Sequence, residues 1–466
     1  MHENTKAITD LILKVREKSR QETGNEPAPE MPKPIQWPIQ CLVGPGLEGA
    51  IACESKVGYV NGAKGWLVYR GYDVFDLCAY STFEEVSYLL LYGQLPGNSQ
   101  LKAFKDKLVK YRSIPSTIRL LANFPVATMN TMSALSFGAS LMKQELFSQK
   151  QDNYRFENGR TISADEDSIP METRPRGEEH AIYEFNRLDK TKESAEGLYP
   201  GADYESSLRL IAGVASVAGA VARLKQGNLP IDSDPNLSHA ANLIYMITGK
   251  YPTAVQERIM DIALILHADH GINASTFATL VVASTLSDIY FAVGSGIAAL
   301  NGPLHGGANE QVLHMLKNIG GSDRVDSWYE NARAKKEKIM GFGHRVYKAY
   351  DPRARILGPL AEYLIKENDD PEVKQLFDVA LALEKKVIAT LGVEKKIFPN
   401  VDFYSGIVYS SLGIPVELFT PIFAVSRVSG WVSRVMEYLE HNRIFRPRAM
   451  YSGSFNAEYL PIEKRT

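Results

Sequence analysis

The sequence predicts a mainly α protein with a short β region near its N-terminus, and three observations carry that expectation. Apolar residues recur at helical spacing in segment after segment from residue 74 onward. No strand–helix alternation points to a parallel sheet. The composition, with 45% hydrophobic and 23% charged residues, is that of an ordinary globular protein with a large core.

In chain order, residues 5–18 form a short amphipathic pattern. The Pro-rich stretch 26–38 (EPAPEMPKPIQWP) is a linker, because it can sustain neither regular helix nor central strand. Residues 41–69 hold short apolar runs broken by glycine and read as strands and turns, with 50–59 strand-like. Helical periodicity then predicts helices over 83–92, 101–121, 132–146, 206–225, 237–248, 254–267, 309–318, 370–391 and 422–440. Residues 277–300 (FATLVVASTLSDIYFAVGSGIAAL) are long enough to span a bilayer. Their Ser, Thr and Gly content and the polar run that follows favour one helix buried in a core. Residues 150–203 carry 13 acidic and 8 basic residues and few large aliphatics, the pattern of a solvated insertion.

Charge narrows the function. The chain has 466 residues, 52 Lys+Arg, 54 Asp+Glu and a net charge of −2, which argues against a protein that coats a polyanion and makes small molecules the expected partners. Its length suits two or three domains of about 100–200 residues. Cys41, Cys53 and Cys78 lack CxxC spacing and fit a reducing compartment, and residues 1–21 lack the apolar run of a secretory signal. A soluble cytoplasmic protein is expected.

Several local patterns carry chemistry. Gly44–Gly49 matches GxGxxG but precedes a strand-like run rather than a helix, so it reads as a turn and not a dinucleotide site. Four of the nine histidines sit in three breaks beside apolar helices: His267-Ala-Asp-His270-Gly, Gly302-Pro-Leu-His305-Gly-Gly and Gly343-His344-Arg345. Glycines there allow a ligand close to the backbone. His267, Asp269 and His270 raise a zinc reading, but no further ligands complete the site and nearby arginines oppose a dication, so no metal is expected. Eight cations (Arg333, Lys335, Lys336, Lys338, Arg345, Lys348, Arg353 and Arg355) face only Glu337 and Asp351, around two glycines whose amides suit a phosphorylated ligand. Asp351-Pro352 reads as a helix cap that places Arg353 in the first turn. Arg427, inside an apolar helix, must meet a carboxylate of the protein or of a ligand. Asp402 lies at a helix start, where capping is the plain alternative.

Taken together, GPLHGGANE (302–310), GFGHRVYKAYDPRA (341–354), PNVDFYSG (399–406), HADHGINAST (267–276) and RPRAMYSG (446–453) resemble the citrate synthase family. WLVYRGYDVFDL (66–77) and FEEVSYLLLYGQLP (83–96) add to the likeness. The resemblance implies a Claisen-type condensation of acetyl-CoA with oxaloacetate, catalysed by His305, His344 and Asp402. It implies oxaloacetate binding by His270, Arg353, Arg427 and Arg446, the last reaching across a homodimer interface. Ile339, Met340, Gly341, Phe342, Gly343, Arg345 and Lys348 are then the CoA contacts. No tightly bound cofactor is implied, acetyl-CoA being a co-substrate.

The implied architecture is a large helical domain and a smaller mobile one: 1–45 an N-terminal arm and linker, 46–316 the large domain with the insertion 150–203, 317–421 the small domain, and 422–466 the C-terminal part of the large one. Phe124-Pro125-Val126 departs from the family's frequent His-Pro-Met, which leaves NADH regulation in doubt. The insertion is expected to be a surface elaboration. A 2-methylcitrate synthase using propionyl-CoA, a non-catalytic relative and a nucleic-acid binder using 333–355 are the alternatives.

Overall fold

In the computed structural model, residues 3–23, 44–47, 49–143, 145, 202–367, 370–392, 395–449, 452–453 and 458–465 are described. The linker 26–38, Cys41 and nearly all of the predicted insertion 150–203 lie outside them. Helix α1 (Glu3–Thr23) precedes a three-stranded antiparallel sheet, β1 (Gly58–Asn61), β2 (Trp66–Tyr69) and β3 (Tyr72–Asp73). Then follow α2 (Val74–Tyr80), α3 (Phe83–Tyr92), α4 (Asn98–Tyr111), α5 (Pro115–Ala122), α6 (Thr131–Leu141), α7 (Tyr204–Lys225), α8 (His239–Thr248) and α9 (Ala254–His267). The remainder is α10 (Ala274–Ser284), α11 (Ile289–Leu300), α12 (Ala308–Ile319), α13 (Val325–Ala334), α14 (Pro352–Glu367), α15 (Pro371–Val387), α16 (Val401–Ser411) and α17 (Phe419–Leu439). The protein is mainly α, as its periodicity predicts.

Four expectations need correction. The helix over 101–121 is two, because Pro115 lacks an N–H to continue α4 and instead opens α5. The long helix over 277–300 is also two: Leu286 takes a left-handed φ of 65°, and the Asp288 carboxylate accepts from Tyr290 N (2.9 Å) and Phe291 N (3.1 Å), capping α11. The strand-like run 50–59 becomes strand only at Gly58. The helix expected over 132–146 ends at Leu141. The Gly44–Gly49 segment holds a single 3₁₀ turn, Pro45–Leu47, and the next described element is β1 rather than a helix.

Among the described residues only α7 is long and apolar enough to cross a membrane, and it is buried against α6, α8 and α17. The core centres on α17, whose packing partners include α3, α7, α9, α10 and α11, and whose Trp431 is fully buried. A second set, α12 to α16, packs mostly on itself, with α16 held between α12 and α14. α1 touches both sets, through α2 and α9 on one side and α14 on the other.

Candidate active site

His305 lies in the turn between α11 and α12 and faces the N-terminus of α10. Asn273 caps that helix by accepting from Thr276 N at 3.1 Å. One of the free amides there, Ser275 N–H, points at His305 Nε2 (3.3 Å), and the Ser275 hydroxyl lies 2.9 Å from the same nitrogen. An amide aimed at Nε2 needs a lone pair on that nitrogen, so the ring proton resides on Nδ1. Burial, and after it the charge of Arg427, lowers the His305 pKa to about 4, which makes the ring a neutral donor at pH 7.

The loop 341–350 carries the second histidine. Gly341 and Gly343 have φ of 79° and 80°, a region closed to most side chains, and a Cβ on Gly341 would lie 2.7 Å from Val312 Cγ2 and 2.8 Å from Phe403 Cδ2. Beyond them, Val346 N (3.0 Å) and Tyr347 N (3.2 Å) both donate to His344 Nδ1, which leaves Nε2–H as the donor. Burial is the main cause of a pKa lowered to about 4. His270, buried, packs its ring 5.2 Å from that of His344, and its Nε2 lies 3.2 Å from the Tyr347 hydroxyl. Burial and then Arg353 and His344 hold His270 well below the ordinary imidazole range. All three imidazoles are therefore neutral at pH 7, each lowered in part by the charge of an arginine.

Asp402 sits in the first turn of α16. Asn400 caps that helix, accepting from Asp402 N at 3.0 Å, and also binds the histidine loop: its N–H donates to Gly341 O (2.9 Å) and its Nδ2 to Gly343 O (3.0 Å). Asp402 Oδ1 is buried without a hydrogen-bond partner. Burial pushes the carboxyl up to about 7, against the opposing charges of Arg353, Arg427 and Lys338. A carboxyl left unpartnered beside cations is poised to take a proton near neutral pH.

The arginines divide. Arg427 donates through Nε to the His267 carbonyl, lays its guanidinium 4.7 Å from the Phe423 ring and leaves Nη2 buried without a partner. Burial lowers its pKa to about 10. Asp269 does not neutralise it by contact, because Arg434 already holds both Asp269 oxygens, at 2.8 and 2.7 Å. A buried guanidinium in this state fits a carboxylate brought by a ligand. Arg353 is buried and forms a two-pronged bond to Asp351 through Nε (3.0 Å) and Nη2 (2.7 Å), leaving Nη1 outside that fork. Arg446 is exposed and donates to the Pro447 carbonyl at 3.0 Å; no hydrogen bond joins it to the other site residues.

The predicted CoA segment splits into two parts. Phe342 is buried, pairs with Pro399 in a β-bridge and packs 4.5 Å from the Phe403 ring, while Gly343 N donates to Phe398 O at 2.9 Å. Ile339 and Met340 are partly buried beside this seam, whereas Arg345 and Lys348 are exposed cations. His267, Asp269 and His270 face separate partners, the Ala263 carbonyl, Arg434 and Tyr347. Among the described residues no group of three or more His, Cys, Asp or Glu is placed to hold a metal ion.

Sequence reasoning missed Ser275, Asn400, Tyr347 and Arg434. Arg434, a second arginine seven residues beyond Arg427 on the same apolar helix, was the most legible of them: the spacing of two helical turns puts both on one face.

The family model described as "Citrate synthase, C-terminal domain" matches residues 46–448. The chain is 38% identical to a citrate synthase of Haloferax volcanii over 90% of its own length and 98% of that protein. It is 35% identical to a 2-methylcitrate synthase of Shewanella oneidensis over 91% and 98%. Among solved structures, citrate synthase of Pyrobaculum aerophilum superposes with a TM-score of 0.76 at 37% identity, covering 94% of this chain and all of that one. The citrate synthase of Thermoplasma acidophilum, in a ternary complex with carboxymethyl coenzyme A and oxaloacetate, superposes with a TM-score of 0.74 at 32% identity, covering 90% of this chain and 98% of that one. With its helical fold, its neutral histidines and these relatives, the chain belongs to the citrate synthase family and is an enzyme of that type.

Proposed function

We propose that the chain condenses acetyl-CoA with oxaloacetate and hydrolyses the resulting citryl-CoA to citrate and CoA. The observation that carries this is the combination of an unpartnered carboxylate near its pKa, Asp402, with two neutral imidazoles whose donor nitrogens are fixed by backbone amides. Asp402 takes a proton from the acetyl methyl group, and His305 Nδ1–H stabilises the enolate by donating to the thioester oxygen. The enol carbon then attacks the oxaloacetate carbonyl carbon. His344 Nε2–H donates to the carbonyl oxygen as it becomes negative. Water hydrolyses the thioester of citryl-CoA, and loss of CoA makes the sequence favourable overall.

Arg427 and Arg353, with His270, are the groups on this chain suited to the two carboxylates of oxaloacetate. We assign Arg446 to the site of a second copy in a homodimer, a reading supported by its exposure and its separation from the other arginines. Arg345 and Lys348 suit CoA phosphates, with Ile339–Gly343 beside the adenine. A large domain over 46–316 and 422–466 and a smaller mobile one over 317–421 are the proposed organisation, and the cytoplasm the proposed location.

Arg427→Gln is expected to raise the KM for oxaloacetate by about 10²-fold or more, as loss of a desolvated charged contact does, with little change in KM for acetyl-CoA. Steady-state kinetics with each substrate varied would check it, and an unchanged oxaloacetate KM would remove Arg427 from the site.

A second reading, propionyl-CoA as the acyl donor, is favoured by the likeness to the Shewanella 2-methylcitrate synthase. One methyl group in a pocket is worth about 1–3 kcal/mol. Comparing kcat/KM for the two thioesters tests both readings. We expect acetyl-CoA to be preferred by about tenfold or more; a preference for propionyl-CoA would reverse the assignment.

A further inference from the structure

The loop that carries His344 and leads into Arg353 at the start of α14 meets the helix that carries Asp402 at Asn400, and again through a residue belonging to neither. Glu384, on α15, accepts the Tyr350 hydroxyl on Oε1 and the Tyr404 hydroxyl on Oε2. Tyr350 lies in the loop between His344 and Arg353, and Tyr404 stands two residues after Asp402 on α16.

Neither phenol has slack. Tyr404 is buried, its ring centroid 5.0 Å from that of Phe403, and a Cβ added to Gly358 of α14 would lie 3.1 Å from Tyr404 Cε2. Tyr350 stacks under the Arg355 guanidinium at 4.5 Å, and its carbonyl lies so close to Gly65 that a Cβ there would come within 2.5 Å. With both rings held by packing, the places where their hydroxyls end are set, and one carboxylate spans them. Burial, reinforced by the Glu384 charge, raises both phenols well above their ordinary pKa, so both stay donors at neutral pH.

We propose that Glu384 is a positioning residue that sets the loop between His344 and Arg353 against Asp402 by accepting one phenol from that loop and one from α16. The role rests on the condensation proposed above, and in that reaction Glu384 touches neither substrate. What it supplies is register: proton removal from one substrate and activation of the carbonyl of the other must occur across a single pair of bound molecules. A misplacement of about 1 Å costs on the order of 10²-fold in rate.

The test is kinetic. Glu384→Ala should lower kcat by about 10²-fold with KM for acetyl-CoA changed by less than about threefold. Glu384→Gln keeps the shape and one acceptor oxygen and should recover part of that loss. Tyr350→Phe and Tyr404→Phe, which retain the packed rings, should each cost about tenfold, the effect of one hydrogen bond of ordinary strength. In the Glu384→Ala background neither Phe change should cost more, because the shared acceptor is already gone. If Glu384→Ala does not fold, the two Phe variants decide the matter.

A wild-type enzyme that turns over while the Tyr350→Phe/Tyr404→Phe double variant keeps its kcat within about twofold overturns the positioning role alone. A fall in thermal stability with kcat unchanged overturns it equally. A wild type that condenses neither thioester with oxaloacetate overturns the reaction and this role with it.

Discussion

Asp402→Ala is expected to lower kcat by about 10³–10⁴-fold while leaving oxaloacetate binding nearly intact, because the variant loses the proposed base and not the arginines proposed to hold the keto acid. Turnover measured beside calorimetric titration with oxaloacetate separates the two effects, and near-normal turnover would remove Asp402 as the base. The reaction needs the ionised carboxylate, and burial has pushed its pKa up to about 7. In the wild type kcat/KM should therefore fall about tenfold per pH unit below that value and level off above it.

The same shift has a consequence for stability, and its sign follows from linkage. The folded state holds the Asp402 proton more tightly than the unfolded chain, with its ordinary value of 3.8. The stabilisation is complete below that lower value and is lost as the pH rises through about 7. Asp402→Asn should consequently melt at a higher temperature than the wild type at pH 8, with the difference vanishing near pH 4. An equal Tm at pH 8 would mean that the carboxylate is not destabilised by its surroundings.

His305→Ala should reduce kcat by about 10²–10³-fold, the usual effect of removing one donor aimed at a developing oxyanion. His305→Asn retains an N–H and should recover part of this. The loss should appear in kcat and in kcat/KM for the thioester together; an increase in KM alone would make His305 a ground-state binding group. With the ring pKa lowered to about 4, its protonation does not shape the profile near neutral pH, so His305→Asn should keep the wild-type acid limb.

The candidate site residues stand out in the sequence because they violate the local pattern around them. His305 and His344 interrupt glycine-rich turns, Asp402 begins an apolar helix, and Arg427 puts a charge where the neighbours are Phe, Ala and Val. The mainly α class followed from periodicity, which burial enforces along every core helix. What stayed hidden was partnership across the chain. Ser275 meets His305 across 30 residues and Asn400 meets Gly343 across 57, and neither carries a local signature beyond that of an ordinary helix start. Helix ends inside apolar stretches were equally obscure: Leu286 and Asp288 divide a continuous hydrophobic run through backbone conformation and capping, terms that hydrophobic spacing does not contain. The resemblance alone offers Arg353 as a carboxylate-binding cation, and its two-pronged bond to Asp351 is visible only in three dimensions.

Asn400 has one further consequence. By accepting from Asp402 N and donating to Gly341 O and Gly343 O, it ties the start of α16 to the segment that leads into His344. These bonds couple the proposed base to the proposed carbonyl donor, so a displacement of one is expected to carry the other with it. His305, held by Ser275 at the start of α10, lies outside that coupled pair. On the proposed mechanism, the separation of Asp402 from His305 is therefore the one that Asn400 does not fix, and it is where the methyl group of the thioester has to fit.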